Sequence, residues 1–157
     1  MEKVLFICVH NSARSQMAEA YLKQLGGDTF EVESAGFEPT QINPLVVEVM
    51  KEEGIDLSEK TTQSSFDLFK KGKTFSYVIT VCDESTDDKC PIFPGMTHRL
   101  HLPFADPGKV QGARADQLNQ VREIRDRIKQ VIQEFISWVE SGDRQKLSDF
   151  WEMKSIR

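Results

Sequence analysis

The chain has 157 residues, enough for one domain with a sizeable core; 29% of them are charged and the net charge is −5. That acidic balance argues against nucleic acid and anionic membrane as partners. The first apolar run, residues 4–7, is too short for an export signal and no stretch approaches a membrane span, so a cytoplasmic protein is expected. Three cysteines, Cys8, Cys82 and Cys90, in a reducing compartment argue for reactive thiols over a disulfide scaffold. By composition alone, Cys82 and Cys90 would serve equally well as small core residues.

Residues 4–7 (Val-Leu-Phe-Ile) read as a strand buried on both faces. A helical pattern starts at Ser15, with Met17, Ala18, Tyr21, Leu22 and Leu25 on one face and Gly26-Gly27 as the stop. Between strand and helix, a short loop opens with Cys8 and closes with Arg14. Backbone N–H groups of the loop and of the helix start would converge on one point, where the helix dipole adds positive potential. Arg14 supplies a planar fork for two oxygens of a tetrahedral anion, and the same field favours Cys8 as a thiolate nucleophile.

Residues 30–34 alternate apolar and polar, as in a half-exposed edge strand, and lead into Ser34-Ala35-Gly36, expected as a turn. Asn43 caps a helix begun by Pro44, with Val46, Val49 and Met50 inward and Gly54 at its end. A shorter helical piece at residues 64–71 carries Phe66, Leu68 and Phe69. Residues 75–81 form a second strongly apolar strand. A charged loop follows, then a strand at 98–102 and the turn-rich 103–108. A long helix starting near Asp116 places Leu118, Val121, Ile124, Ile128, Val131, Phe135 and Val139 on one stripe. Strands alternating with helices imply an α/β protein, a parallel sheet with helices on both faces and right-handed crossovers.

Cys8-x5-Arg14 followed by Ser15, set directly after a first strand, resembles the signature of the cysteine-dependent phosphatases, and most of all the low-molecular-weight tyrosine phosphatase family. Asn11-Ser12 and residues 14–19 (Arg-Ser-Gln-Met-Ala-Glu) are similar to its thioredoxin-coupled arsenate reductases. The resemblance implies a four-stranded sheet in the order 2-1-3-4, a domain at residues 1–141 and an extension at 142–157 of unassigned role. It also makes the Cys8 and Cys82 strands neighbours, about 4.8 Å apart, with both thiols at carboxyl ends where ligands bind. Phosphatases of the family usually carry Met where Cys82 stands, which favours redox chemistry. Cys90, followed by Pro91-Ile92-Phe93-Pro94, resembles the third cysteine of the reductases. Asp106-Pro107 resembles the general-acid loop, although Asp-Pro-Gly is also an ordinary turn signal.

The expected anion-binding set is Val9, His10, Asn11, Ser12, Ala13, Arg14 and Ser15, with His10 contributing only its backbone N–H. Asn11, Glu19 and Ser34 resemble a cation site of part of the family. Gln63 replaces an acidic residue of that site, so no metal and no cofactor are expected, and Glu19 reads as an exposed helix residue. The implied function is reduction of arsenate, with phosphate or sulfate as competing anions, through a Cys8–Cys82–Cys90 relay in a monomer. Thioredoxin or a similar dithiol would be the partner. The alternatives are a phosphotyrosine or small-ester phosphatase using Cys8, Arg14 and Asp106, and a redox sensor switched by Cys82 and Cys90. A zinc pair at Cys82 and Cys90 lacks companion ligands, and no Gly-x4-Gly-Lys-Ser/Thr nucleotide loop occurs.

Overall fold

The computed structural model describes residues 1–82 and 98–142; Cys90, the proline-rich segment after it and the extension beyond Gly142 lie outside the described residues. Four strands, β1 (Glu2–Cys8), β2 (Phe30–Gly36), β3 (Tyr77–Thr80) and β4 (His98–His101), form one parallel sheet in the order β2-β1-β3-β4. The helices are α1 (Arg14–Gly26), α2 (Pro44–Lys51), α3 (Ser65–Lys70) and α4 (Arg114–Ser141). No described helix is long and apolar enough to cross a membrane.

β1 pairs on both sides, Val4 with Val32 on β2 and with Tyr77 on β3. Its period of two divides it between two cores. Val4, Phe6 and Cys8 join the larger one with Met17 and Tyr21 of α1 and Val121, Ile128 and Phe135 of α4, while Leu5 and Ile7 meet Leu68 and Val78 on the other face. Each such side chain contributes about 1.5–3 kcal/mol on burial. β1 is paired on both sides and buried from Val4 to Cys8, so its carboxyl end is held by neighbours on every side.

Some local expectations are corrected. Residues 34–36 belong to β2 and pair with Phe6, Ile7 and Cys8; they are no turn, because the ladder continues to the end of β1. Leu25 is 38% exposed, since α1 rotates it past the core as the chain leaves at Gly27, whose φ is +56°. Of the three apolar residues of α3 only Leu68 is buried; Phe66 and Phe69 are exposed. α1 begins at Arg14 and α4 at Arg114, each slightly earlier than the apolar spacing suggests. The N-cap of α2 matches expectation, with Asn43 Oδ1 accepting from Leu45 N–H at 2.9 Å, whereas the helix ends at Lys51 with Glu52 as its C-cap, short of Gly54.

α4 is fastened at both ends. Near its last turn, Phe135 lies against Phe30 and edge-on to Tyr77, ring centroids 6.0 and 5.6 Å apart, at the strand starts opposite the site. Nearer its start, Arg122 and the buried Arg125 grip Glu52 at the end of α2, and Arg125 also donates to the Val49 carbonyl at 2.8 Å. Hydrogen bonds from Arg122, then Arg125, hold the Glu52 carboxyl at about 2, below its ordinary 4.5. The unfolded chain therefore takes up this proton first, so the contribution is full above about pH 4.5 and fades as pH falls towards 2. Glu52→Gln should melt below wild type at neutral pH, with a gap that closes through that acid window. A gap equally wide at about pH 7 and pH 3 would contradict the assignment.

Candidate active site

The loop from Cys8 to Arg14 has its backbone turned inside out. Its carbonyls at Cys8, Val9, His10 and Ser12 accept from Phe37, Glu38, Thr40 and Asn43 N–H at 3.3, 2.8, 3.0 and 2.9 Å. A planar trans peptide places the next N–H opposite its carbonyl. Anchoring the carbonyls of Val9, His10 and Ser12 outward on the 37–43 strap therefore aims the N–H groups of His10, Asn11 and Ala13 the other way. One destination is visible: Asn11 N–H donates to Cys8 Sγ at 3.1 Å.

Cys8 ends β1 as a free, buried thiol, with Ser15 Oγ 3.0 Å from its sulfur in a second hydrogen bond. No side chain caps the start of α1 and no acidic residue lies in its first turn, so its positive end is left for an anion. Gly36 explains why strap and loop can touch. A Cβ there would stand 2.7 Å from Asn11 N and 2.8 Å from His10 C and Val9 O.

Asn11 is the hub of the loop. It is fully buried with φ +54°, a left-handed conformation that asparagine tolerates. Its Nδ2 donates to Ser15 Oγ at 2.8 Å and Ser34 Oγ at 3.0 Å; its Oδ1 accepts from Gln16 Nε2 and Gln63 N–H, both at 3.0 Å. Two donors and two acceptor sites are thereby saturated, which fixes the orientation of the amide. The His10 ring stands aside, its Nδ1 3.1 Å from the Glu38 carbonyl oxygen.

Arg14 and Asp106 meet from opposite ends of the chain. Arg14 is 3% exposed; its guanidinium donates to the Phe104 carbonyl at 3.3 Å and lies 3.6 Å from Asp106 Oδ2. Asp106 Oδ1 accepts from Gly108 N–H at 2.8 Å, which folds the turn at Pro107 and holds the carboxylate at the mouth of the loop. Cys82 follows β3 and is buried, with its sulfur 4.0 Å from the carbonyl oxygen of Ile7, the residue before Cys8. Cys90 lies outside the described residues, so the structure places Cys8, residues 9–15, Cys82 and Asp106 together and leaves the third thiol unplaced.

Glu19 is buried, against the sequence expectation. Its carboxylate pairs with Lys60, reaching in from the segment before α3, and with Lys23 at 3.3 Å. Asn11 and Ser34, which the sequence grouped with it, bond to each other. Among the described residues no three His, Cys, Asp or Glu side chains gather as metal ligands. The strap, Lys60 and the backbone of Gln63 carry no motif; Gly36, whose missing Cβ lets two backbones meet, is the one side-chain signal of the contact.

The strand-loop-helix cradle, with a cysteine at the strand end and an arginine at the helix start, stands on a parallel sheet in the order β2-β1-β3-β4. The chain belongs to the low molecular weight phosphotyrosine protein phosphatase family, which matches residues 3–146. It is similar to the arsenate reductase of Bacillus subtilis, 38% identical over 133 residues, or 84% of this chain and 93% of that one. A thioredoxin-dependent arsenate reductase from Corynebacterium glutamicum is similar in structure, with a TM-score of 0.64 and 32% identity, over 91% of this chain and 63% of that chain. An arsenate reductase in an oxidized state gives a TM-score of 0.70 at 27% identity, over 87% and 98% of the two chains.

The close approach at Gly36 gives a direct test. In Gly36→Ala the new methyl meets backbone atoms that cannot rotate away. The strap or the loop must shift, at a cost of about 1–3 kcal/mol in urea unfolding and with weaker binding of sulfate. Wild-type values for both would show that the contact does not constrain the loop.

Proposed function

We propose that the protein is an arsenate reductase in which the loop at residues 8–15 holds the oxyanion and three thiols act in turn. Arsenate sits against the inward N–H groups and the Arg14 fork. The Cys8 thiolate attacks arsenic, an As–O bond breaks, and Asp106 protonates the departing oxygen. The Cys82 thiolate then attacks Cys8 Sγ. The S–As bond breaks, its electron pair stays on arsenic, and arsenite leaves as Cys8–Cys82 becomes a disulfide. Cys90 attacks the Cys82 sulfur, which frees Cys8 and moves the bridge to Cys82–Cys90. A dithiol protein of the thioredoxin kind, with a potential near about −270 mV, returns two electrons.

The observation that carries this reading is a second sulfur beside the nucleophile's strand. Cys82 is buried one strand over from Cys8, its sulfur 4.0 Å from the carbonyl oxygen of the residue before it, and Cys8 is a free thiol. Hydrolysis of a phosphate ester needs no second thiol. A phosphatase remains the second reading, because Cys8, Arg14 and Asp106 already form a nucleophile, an anion fork and an acid.

Arsenite production with thioredoxin as electron source, measured beside aryl phosphate hydrolysis, separates the two. Cys8→Ser should abolish both activities. Cys90→Ser should release about one arsenite per enzyme and stop with Cys8 bridged to Cys82, whereas Cys82→Ser should release none, as the order of attack requires. Continued thioredoxin-driven turnover by Cys90→Ser, with a free Cys8 on mass mapping, would refute the relay.

A further inference from the structure

Gln16 takes no part in the chemistry above, yet its placement is costly. The residue is 1% exposed, and its Oε1 is buried with no hydrogen-bond partner among the described residues. A buried carbonyl without a partner lowers stability, and a methionine of similar length would carry no such penalty. The carbonyl end of the side chain therefore gives no reason for an amide here. The reason lies at the other end of the side chain, where Nε2 donates to Asn11 Oδ1 at 3.0 Å and to the Thr61 carbonyl at 3.3 Å.

Asn11 Oδ1 takes this bond together with the one from Gln63 N–H. With both acceptor sites filled from that side, Nδ2 must face Ser15 Oγ and Ser34 Oγ. Ser15 Oγ is then held 3.0 Å from Cys8 Sγ, and the left-handed Asn11 backbone holds its N–H 3.1 Å from the same sulfur. One hydrogen bond to the sulfur, from Ser15, thus runs through the side-chain amide that Gln16 orients, and the other comes from the backbone of the same asparagine. We propose that Gln16 is a positioning residue for the nucleophile: it locks Asn11 so that Asn11 N–H and Ser15 Oγ stay aimed at Cys8. The proposal rests on the reading of Cys8 as a thiolate nucleophile.

The test uses Gln16→Met, with Gln16→Leu as a second apolar variant, in the full reduced chain. Three quantities are read without arsenate: the urea midpoint, the pH profile of Cys8 alkylation by iodoacetamide, and the affinity for inorganic sulfate. The variants lose two hydrogen bonds and shed one buried unpaired carbonyl, so the urea midpoint is read as the control for folding. The alkylation profile should move to higher pH, and sulfate affinity should fall about two- to tenfold, the scale of one hydrogen bond. In an Asn11→Ala background the same substitution should add nothing to either site readout, because the bond is already gone. Wild-type alkylation and sulfate binding in Gln16→Met or Gln16→Leu would overturn the proposal. So would a fall in the urea midpoint with an unmoved alkylation profile, or an effect that persists in full without Asn11. These readouts decide the role of Gln16 whether or not the protein reduces arsenate.

Discussion

A planar peptide cannot present its carbonyl and its following N–H in the same direction, and the site is built on that constraint. Turning the carbonyls of the 8–14 loop outward is what makes its interior a surface of donors. The carbonyls need partners of their own, and the 37–43 strap supplies four N–H groups. The strap can lie close enough only because Gly36 has no side chain, and it is held there because β2 pairs with β1 through Cys8. Sheet register, glycine and strap are thus parts of one solution to one backbone problem.

Burial of charge follows the same logic. Arg14 is carried to the loop by the first turn of α1 and removed from water there. The Phe104 carbonyl and Asp106 answer its charge from the segment after β4. Glu19, one turn further along α1, is buried as well and meets Lys60 and Lys23. The charged grip of α4 on α2 and the aromatic cluster at the strand starts lie elsewhere, so the carboxyl ends of the strands are left to chemistry.

Much of this was legible because it is local. The apolar run of β1, the Cys-x5-Arg spacing and the helical period after Ser15 each leave side-chain traces within a few residues. The strand order came from the family resemblance and not from periodicity. Partners distant in sequence were not legible. Glu19 reads as a surface residue until Lys60 is brought to it, and Gln63 donates to Asn11 across 52 positions through a backbone group. Residues 34–36 were expected as a turn because Ser34-Ala35-Gly36 matches a turn common in the family the chain resembles, whereas the glycine allows a close backbone approach inside a strand. The strap is invisible for a simpler reason: its bonds use N–H groups, which every residue but proline has.

The central claim is that the inverted 8–14 loop and the start of α1 form the oxyanion site. Amide chemical shifts of Cys8→Ser protein titrated with arsenate test it most directly, because the substitution removes the chemistry and leaves the donors. The account predicts the largest shifts at residues 9–15, with smaller ones on the strap at 37–43. Shifts centred elsewhere on the surface, or none at saturating arsenate, would contradict it.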